Sequence, residues 1–247
     1  MTQLFGATRN VVKGRYALLT PETLVPSHLP GWEKSVCRVP ISPALGARFS
    51  LLLVAMEREG QCAGNTGVNQ YFIYVLEGAA SIQLDARKHR LEPGSYVYLA
   101  AGQDVQLAGG APATRLLVVQ KEYQPLTGEA KPAGFASHER EVRTQPVGGN
   151  DDTRLQALLP DHVAFDMAVN IITCPPGAAP AVVESPVMER GLMMLRGQGV
   201  YRLEADWHPV QAGDVIWAAP YCPQWFVAVG KTPATCICCQ DANRDPV

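Results

Sequence analysis

The feature that most constrains this chain is that it repeats itself. The stretch YVLEGAASIQLDARKHRLEPGSYVYLAAGQDVQL, beginning at Tyr74, lies against MMLRGQGVYRLEADWHPVQAGDVIWAAPYCPQWF, beginning at Met193, with a period near 119 residues. Gly78 meets Gly197, Leu84 meets Leu203, His89 meets His208 and Gly94 meets Gly213. Farther on, APAT at 111–114 meets TPAT at 232–235, which requires two extra residues in the second copy. Such a chain has to build one fold unit twice and bury two similar cores.

Each copy reads as β-structure. SIQLD and VYRLE alternate apolar with polar, and SYVYLA and DVIWAAP are short β-branched and aromatic runs that follow a glycine turn. Several short strands at regular spacing imply a sandwich or barrel, so the expectation is an all-β chain. Residues 124–152, rich in Pro, Gly and charge, read as a linker between an N-terminal unit at 1–123 and a C-terminal unit at 153–247. DTRLQALLP suggests a short helix over 152–160, with Asp152 as its N-cap.

Composition narrows the function classes. A formal charge of −2 over 247 residues provides no basic field for nucleic acid. The longest apolar run, SLLLVAM at 50–56, is far shorter than the roughly 20 residues of a membrane span and suits a buried strand. Arg9, Lys13 and Arg15 interrupt the N-terminal residues, so no secretory apolar run is read there and the expectation is a cytoplasmic protein. The seven cysteines are an odd number, and Cys236, Cys238 and Cys239 lie too close in one strand to bridge, which points to reduced thiols.

The tandem of short strands and glycine turns resembles the cupin barrel, a small jelly roll that often holds one metal, and two copies resemble a bicupin. The second half is more specific. GQGVYRLEADWHPVQAGDVIWAAPYCPQWFVAVGKT followed by DANRDP resembles the C-terminal cupin of (S)-ureidoglycine aminohydrolases, and GRYALLTPETLVPSHLPGWE resembles their N-terminal segment. That resemblance implies two jelly-roll β-barrels in tandem. It also implies hydrolysis of ureidoglycine to ureidoglycolate and ammonia in allantoin breakdown, with manganese in the C-terminal cupin.

The implied ligand set is Glu, His, His and Gln, and its spacing falls here on Glu184, Pro186, Arg190 and Gln224. Only Glu184 and Gln224 match. Proline has no side-chain donor and a guanidinium does not ligate a cation, so manganese is expected to be absent or weakly held. The substrate-contacting positions implied by the resemblance read Tyr201, Cys236 and Gln240, of which only Tyr201 matches. Glu184 and Tyr201 are thus the catalytic candidates, and Arg190, Gln224, Cys236 and Gln240 the pocket candidates. Cys236 and Cys238 share one face and, with Glu184, are candidates for a soft metal; buried inert thiols are the plainer expectation. Glu189, beside Arg190, reads as a surface carboxylate. His28, His89, His138, His162 and His208 read as structural. The equivalent positions of the first copy, Asn65, Gly67, Tyr71 and Val105, contain no strong metal donor, so that barrel is expected to be structural.

Two readings of function follow. One is an aminohydrolase with a degenerate metal site. The other is a metal-free bicupin that binds a small carboxylate or ureide, with a Glu184–Arg190 pair near Gln224 and Tyr201. Loss of Arg190 from a buried pair would cost roughly 3–5 kcal/mol. The residues leave open whether the chain is an enzyme at all. The expected partners are a small molecule and further copies of the chain in a homo-oligomer, since jelly-roll edges need covering.

Overall fold

The computed structural model describes residues 9–84, 87–147 and 150–244. It begins with β1 (Val11–Val12) and β2 (Tyr16–Leu19). There follow β3 (Trp32–Ile41), β4 (Phe49–Asn65), β5 (Asn69–Glu77), β6 (Ala80–Leu84), β7 (Arg87–Leu91), β8 (Ser95–Leu99), β9 (Asp104–Gly109), β10 (Ala113–Glu122) and β11 (Phe135–His138). The last group is β12 (Gln145–Val147), β13 (Asn150–Ala157), β14 (Met167–Cys174), β15 (Arg190–Arg196), β16 (Gln198–Leu203), β17 (Asp206–Gln211), β18 (Val215–Ala218), β19 (Gln224–Val229) and β20 (Ala234–Asp241). Among the described residues the only helices are three short 3-10 turns, and no helix is long and apolar enough to cross a membrane.

The strands fall into two compact units, Val25–Glu141 and Val142–Val247 joined by the N-terminal segment up to Leu24. Much of their pairing is the same. β5 lies between β8 and β10 as β15 lies between β18 and β20; β10 pairs with β4 as β20 does with β14; and β6 lies between β7 and β9 as β16 lies between β17 and β19. The chain is therefore a bicupin, as the resemblance implies. Gly78 and Gly197 explain why glycine recurs at one turn. Their φ angles are 81° and 72°, and an added Cβ would stand 2.3 Å from the Ala113 carbonyl oxygen and 2.5 Å from that of Pro233.

Several details differ from the sequence reading. The N-terminal segment does not belong with the first barrel: β2 pairs with β18, and Arg9 grips the buried Asp214 at 2.5 and 2.8 Å. The expected linker carries β11, which pairs with β8, and β12, which pairs with β13. These strands cover sheet edges that would otherwise be unpaired. The expected helix at 152–160 is instead strand as far as Ala157, the end of β13, because pairing with β14 overrides a weak local preference. The last strand is shifted by one residue from the APAT/TPAT match. Val75 faces Leu116, while Met194 faces Cys236, so β20 follows β10 by 120 residues rather than 121.

Candidate functional site

Inside the C-terminal barrel the strand period of two places alternate residues on one inner face. Across β14, β20 and β15 the register sets Asn170 beside Cys238 and Leu192, Ile172 beside Cys236 and Met194, and Ala168 beside Gln240 and Arg190. From β16 and β19 come Tyr201 and Gln224. Glu184 precedes β15 and is tied to Gln224 by a reciprocal backbone pair, 2.9 Å from the Glu184 amide to the Gln224 carbonyl and 2.7 Å in return. These elements enclose a cavity of about 410 Å³.

Seven of the residues singled out from the sequence line it: Glu184, Arg190, Tyr201, Gln224, Cys236, Cys238 and Gln240. Arg190 Nη1 donates to Glu184 Oε2 at 3.3 Å and Nε donates to Gln240 Oε1 at 3.1 Å. The Tyr201 hydroxyl donates to Gln224 Oε1 at 2.8 Å. The expected Glu184–Arg190 contact is thus present beside Gln224 and Tyr201. It is not deeply buried: the Glu184 side chain is 45% exposed and that of Arg190 27%. Pro186 does not line the cavity, and its carbonyl accepts the Tyr221 amide at 2.7 Å.

The electrostatics fix protonation states. Burial alone would lower the Arg190 pKa, but Cys238, Tyr201 and Glu184 outweigh it and hold the guanidinium above its ordinary value. Burial pushes the Tyr201 phenol far up, against the pull of Arg190, so it stays protonated and acts as a donor. Burial likewise pushes the Cys236 and Cys238 thiols up, which keeps them neutral.

The residues present do not fit manganese. Pro186 offers no side-chain donor, the Arg190 guanidinium stands against the Glu184 carboxylate, and the Gln224 amide oxygen is taken by Tyr201. A soft metal on Cys236, Cys238 and Glu184 fits no better, since among the described residues no group of three or more His, Cys, Asp or Glu is placed to hold a metal.

Glu189 corrects the sequence reading. It is 1% exposed, not a surface group, and its Oε2 accepts the Trp217 indole N–H at 3.0 Å. The alternation of faces holds, but the face opposite Arg190 is covered rather than solvated. Asn170 was not singled out by any motif; its signal was an amide within the alternating run MAVNIITC, on the face that carries Ile172 and Cys174. The histidines do lie outside the cavity. His208 Nε2 is 3.1 Å from the Tyr16 hydroxyl, His138 Nε2 is 3.1 Å from the Pro93 carbonyl, and His162 Nδ1 accepts the Ala164 amide at 3.1 Å.

In the first barrel the equivalent positions are otherwise engaged. Asn65 bonds to Asp104 and Gly102 through its amide nitrogen and to the Gly67 amide through its oxygen. Val105 joins the apolar core, and Tyr71 packs against it.

No family model matches the chain. It is 34% identical over 248 residues to a probable (S)-ureidoglycine aminohydrolase of Oryza sativa subsp. japonica, covering 100% of this chain and 79% of the relative. It is also 34% identical over 245 residues to the (S)-ureidoglycine aminohydrolase of Escherichia coli (strain K12), covering 97% and 93%. Among solved structures it is similar to the E. coli protein YlbA, with a TM-score of 0.87, 30% identity and coverage of 98% and 97%. A putative glyoxylate-induced protein of Pseudomonas aeruginosa gives a TM-score of 0.90 at 27% identity, covering 97% and 93%. Bacillus subtilis oxalate decarboxylase, which has Mn(II) centres, shares the fold at a TM-score of 0.70 and 10% identity, covering 93% and 78%. Two barrels with matching strand pairings and this likeness along the whole chain place it: the chain belongs to the (S)-ureidoglycine aminohydrolase family.

Proposed function

We propose that the C-terminal barrel takes ureidoglycine or a close ureide, and that the reaction to which it is adapted is the aminohydrolysis named for its relatives. In that reaction water adds to the carbon bearing the amine, the C–N bond breaks, and ammonia leaves with ureidoglycolate as the other product. What supports the reading is the full-length likeness to the curated aminohydrolases together with one observation: Glu184, Arg190, Tyr201, Gln224 and Gln240 converge on a single cavity.

Each side chain has a role it can perform as placed. Glu184, the one carboxylate lining the cavity among the described residues, has an oxygen available to take a proton from water. Arg190 and Gln224 present N–H groups to the oxygens of a ureide. Tyr201 acts through Gln224, fixing which way its amide points. Manganese is weakly held or absent in this reading. Loss of one oriented electrostatic group can cost about 2.7–4 kcal/mol of transition-state stabilisation, so turnover is expected to lie far below that of a relative with the complete ligand set. The ligand is a small molecule rather than nucleic acid or membrane, and the chain works in the cytoplasm as a homo-oligomer assembled through sheet edges.

The test is ammonia release from (S)-ureidoglycine by the purified protein, with and without added manganese. Slow release that Glu184→Gln abolishes supports the reading. Release at the rate of the E. coli relative would show that the ligand set has been misassigned, and none at all would remove the hydrolytic part of the proposal.

A further inference from the structure

Two donors on side chains that line the C-terminal cavity are left without partners among the described residues. Gln224 is 3% exposed, and its Nε2 is a buried nitrogen with no hydrogen-bond acceptor among the described residues. The Tyr201 hydroxyl occupies the amide oxygen at 2.8 Å, which fixes the side chain with its nitrogen unserved. A buried donor left unpaired is costly and calls for an acceptor. Arg190 uses Nε on Gln240 and Nη1 on Glu184, leaving Nη2 without a partner among the described residues. Both side chains line the same cavity.

The charges say what kind of acceptor fits. Arg190 and Glu184 are the charged groups lining the cavity among the described residues, and they cancel. A divalent cation entering there would meet a fixed guanidinium. A dianion would leave the cavity with two uncompensated charges, whereas a monocarboxylate leaves one, held by a charge-assisted hydrogen bond. The amides of Asn170 and Gln240 supply both donors and acceptors, which matches a carbamoyl group. About 410 Å³ holds a ligand of that size.

We infer that Arg190 Nη2 and Gln224 Nε2 form a metal-independent seat for the carboxylate of a small ureido acid, Arg190 taking the place a metal ion would have in the barrel. This rests on the ureide reading above and adds to it the atoms and the charge that do the binding.

The experiment is calorimetric titration of the whole protein with ureidoacetate, a stable carboxylate that carries a carbamoyl group, once in EDTA and once with manganese. The expected result is saturable binding of equal affinity in both buffers, with ethylurea, which lacks the carboxylate, binding far more weakly. Arg190→Gln is expected to weaken binding roughly tenfold or more, and Gln224→Leu about fivefold, each at an unaltered near-ultraviolet dichroism spectrum. Gln224→Leu keeps the question answerable if Arg190→Gln does not fold. Binding seen only with manganese overturns this inference and leaves the ureide reading standing. Binding in EDTA that neither substitution weakens also overturns it. No binding of ureidoacetate in either buffer overturns both.

Discussion

In the first barrel Leu52, Tyr71, Ile82, Val105 and Val118 occupy the strand positions that Asn170, Arg190, Tyr201, Gln224 and Cys238 hold in the second. The pairings show the equivalence. Leu52 faces Val118 as Asn170 faces Cys238, Tyr71 faces Gln120 as Arg190 faces Gln240, and Ile82 faces Leu107 as Tyr201 faces Phe226. In the first barrel these inner positions feed one continuous apolar cluster. In the second they are mainly polar and surround a cavity. Much of the backbone framework is common to both, so what separates the apolar core from the polar cavity is a handful of inward-facing side chains on a largely shared ladder of strands.

Exchanging those side chains between barrels breaks the comparison most strongly. Leu52→Asn removes a side chain that is 4% exposed and strands an amide in an apolar core, an expected loss of about 4 kcal/mol. The reciprocal Asn170→Leu, in the hollow barrel, is expected to change stability by less than about 1 kcal/mol. Urea unfolding of the two variants measures the asymmetry. The shared framework predicts the opposite pattern at the turns. Gly78→Ala and Gly197→Ala are each expected to cost roughly 3 kcal/mol, and equally, since both residues have positive φ and a carbonyl against the missing Cβ. Unequal losses would show that the barrels differ in backbone as well as in filling.

Smaller effects sharpen the account of the cavity. With Glu184 nearly half exposed, Arg190→Ala is expected to cost under about 1 kcal/mol in thermal unfolding, well below the figure for a buried pair. The smallest effect concerns His208, whose pKa burial lowers, against the pull of Asp206. The unfolded chain then binds a proton more readily than the folded one. That contribution to stability is complete above about pH 6.5 and is lost as pH falls through the unfolded value towards the folded one. His208→Gln is expected to flatten this part of a stability profile measured from pH 7 to pH 5.

The sequence made the framework legible because glycines at forced turns and period-two alternation are local signals. Gly78, Gly94, Gly197 and Gly213, together with the Leu84–Leu203 and His89–His208 matches, aligned the two copies. Less legible was anything set by pairing at a distance. The segment around Tyr16–Leu19 precedes the first barrel in sequence yet completes a sheet of the second, and β11 and β12 lie in a stretch whose composition reads as linker. The site was readable where a spacing motif pointed at it, as for Glu184, Arg190, Tyr201 and Gln224. It was not readable at Asn170, which only the strand register brings to the cavity, nor at Glu189, whose burial depends on what covers the far face of β15.

The central proposal is that the second barrel carries its own cation, Arg190, in place of a metal. Metal analysis of the purified protein, after incubation with manganese and removal of the unbound ion, tests it most directly. The account predicts a manganese content far below one ion per chain. A stoichiometric, retained manganese in the wild-type protein would contradict it.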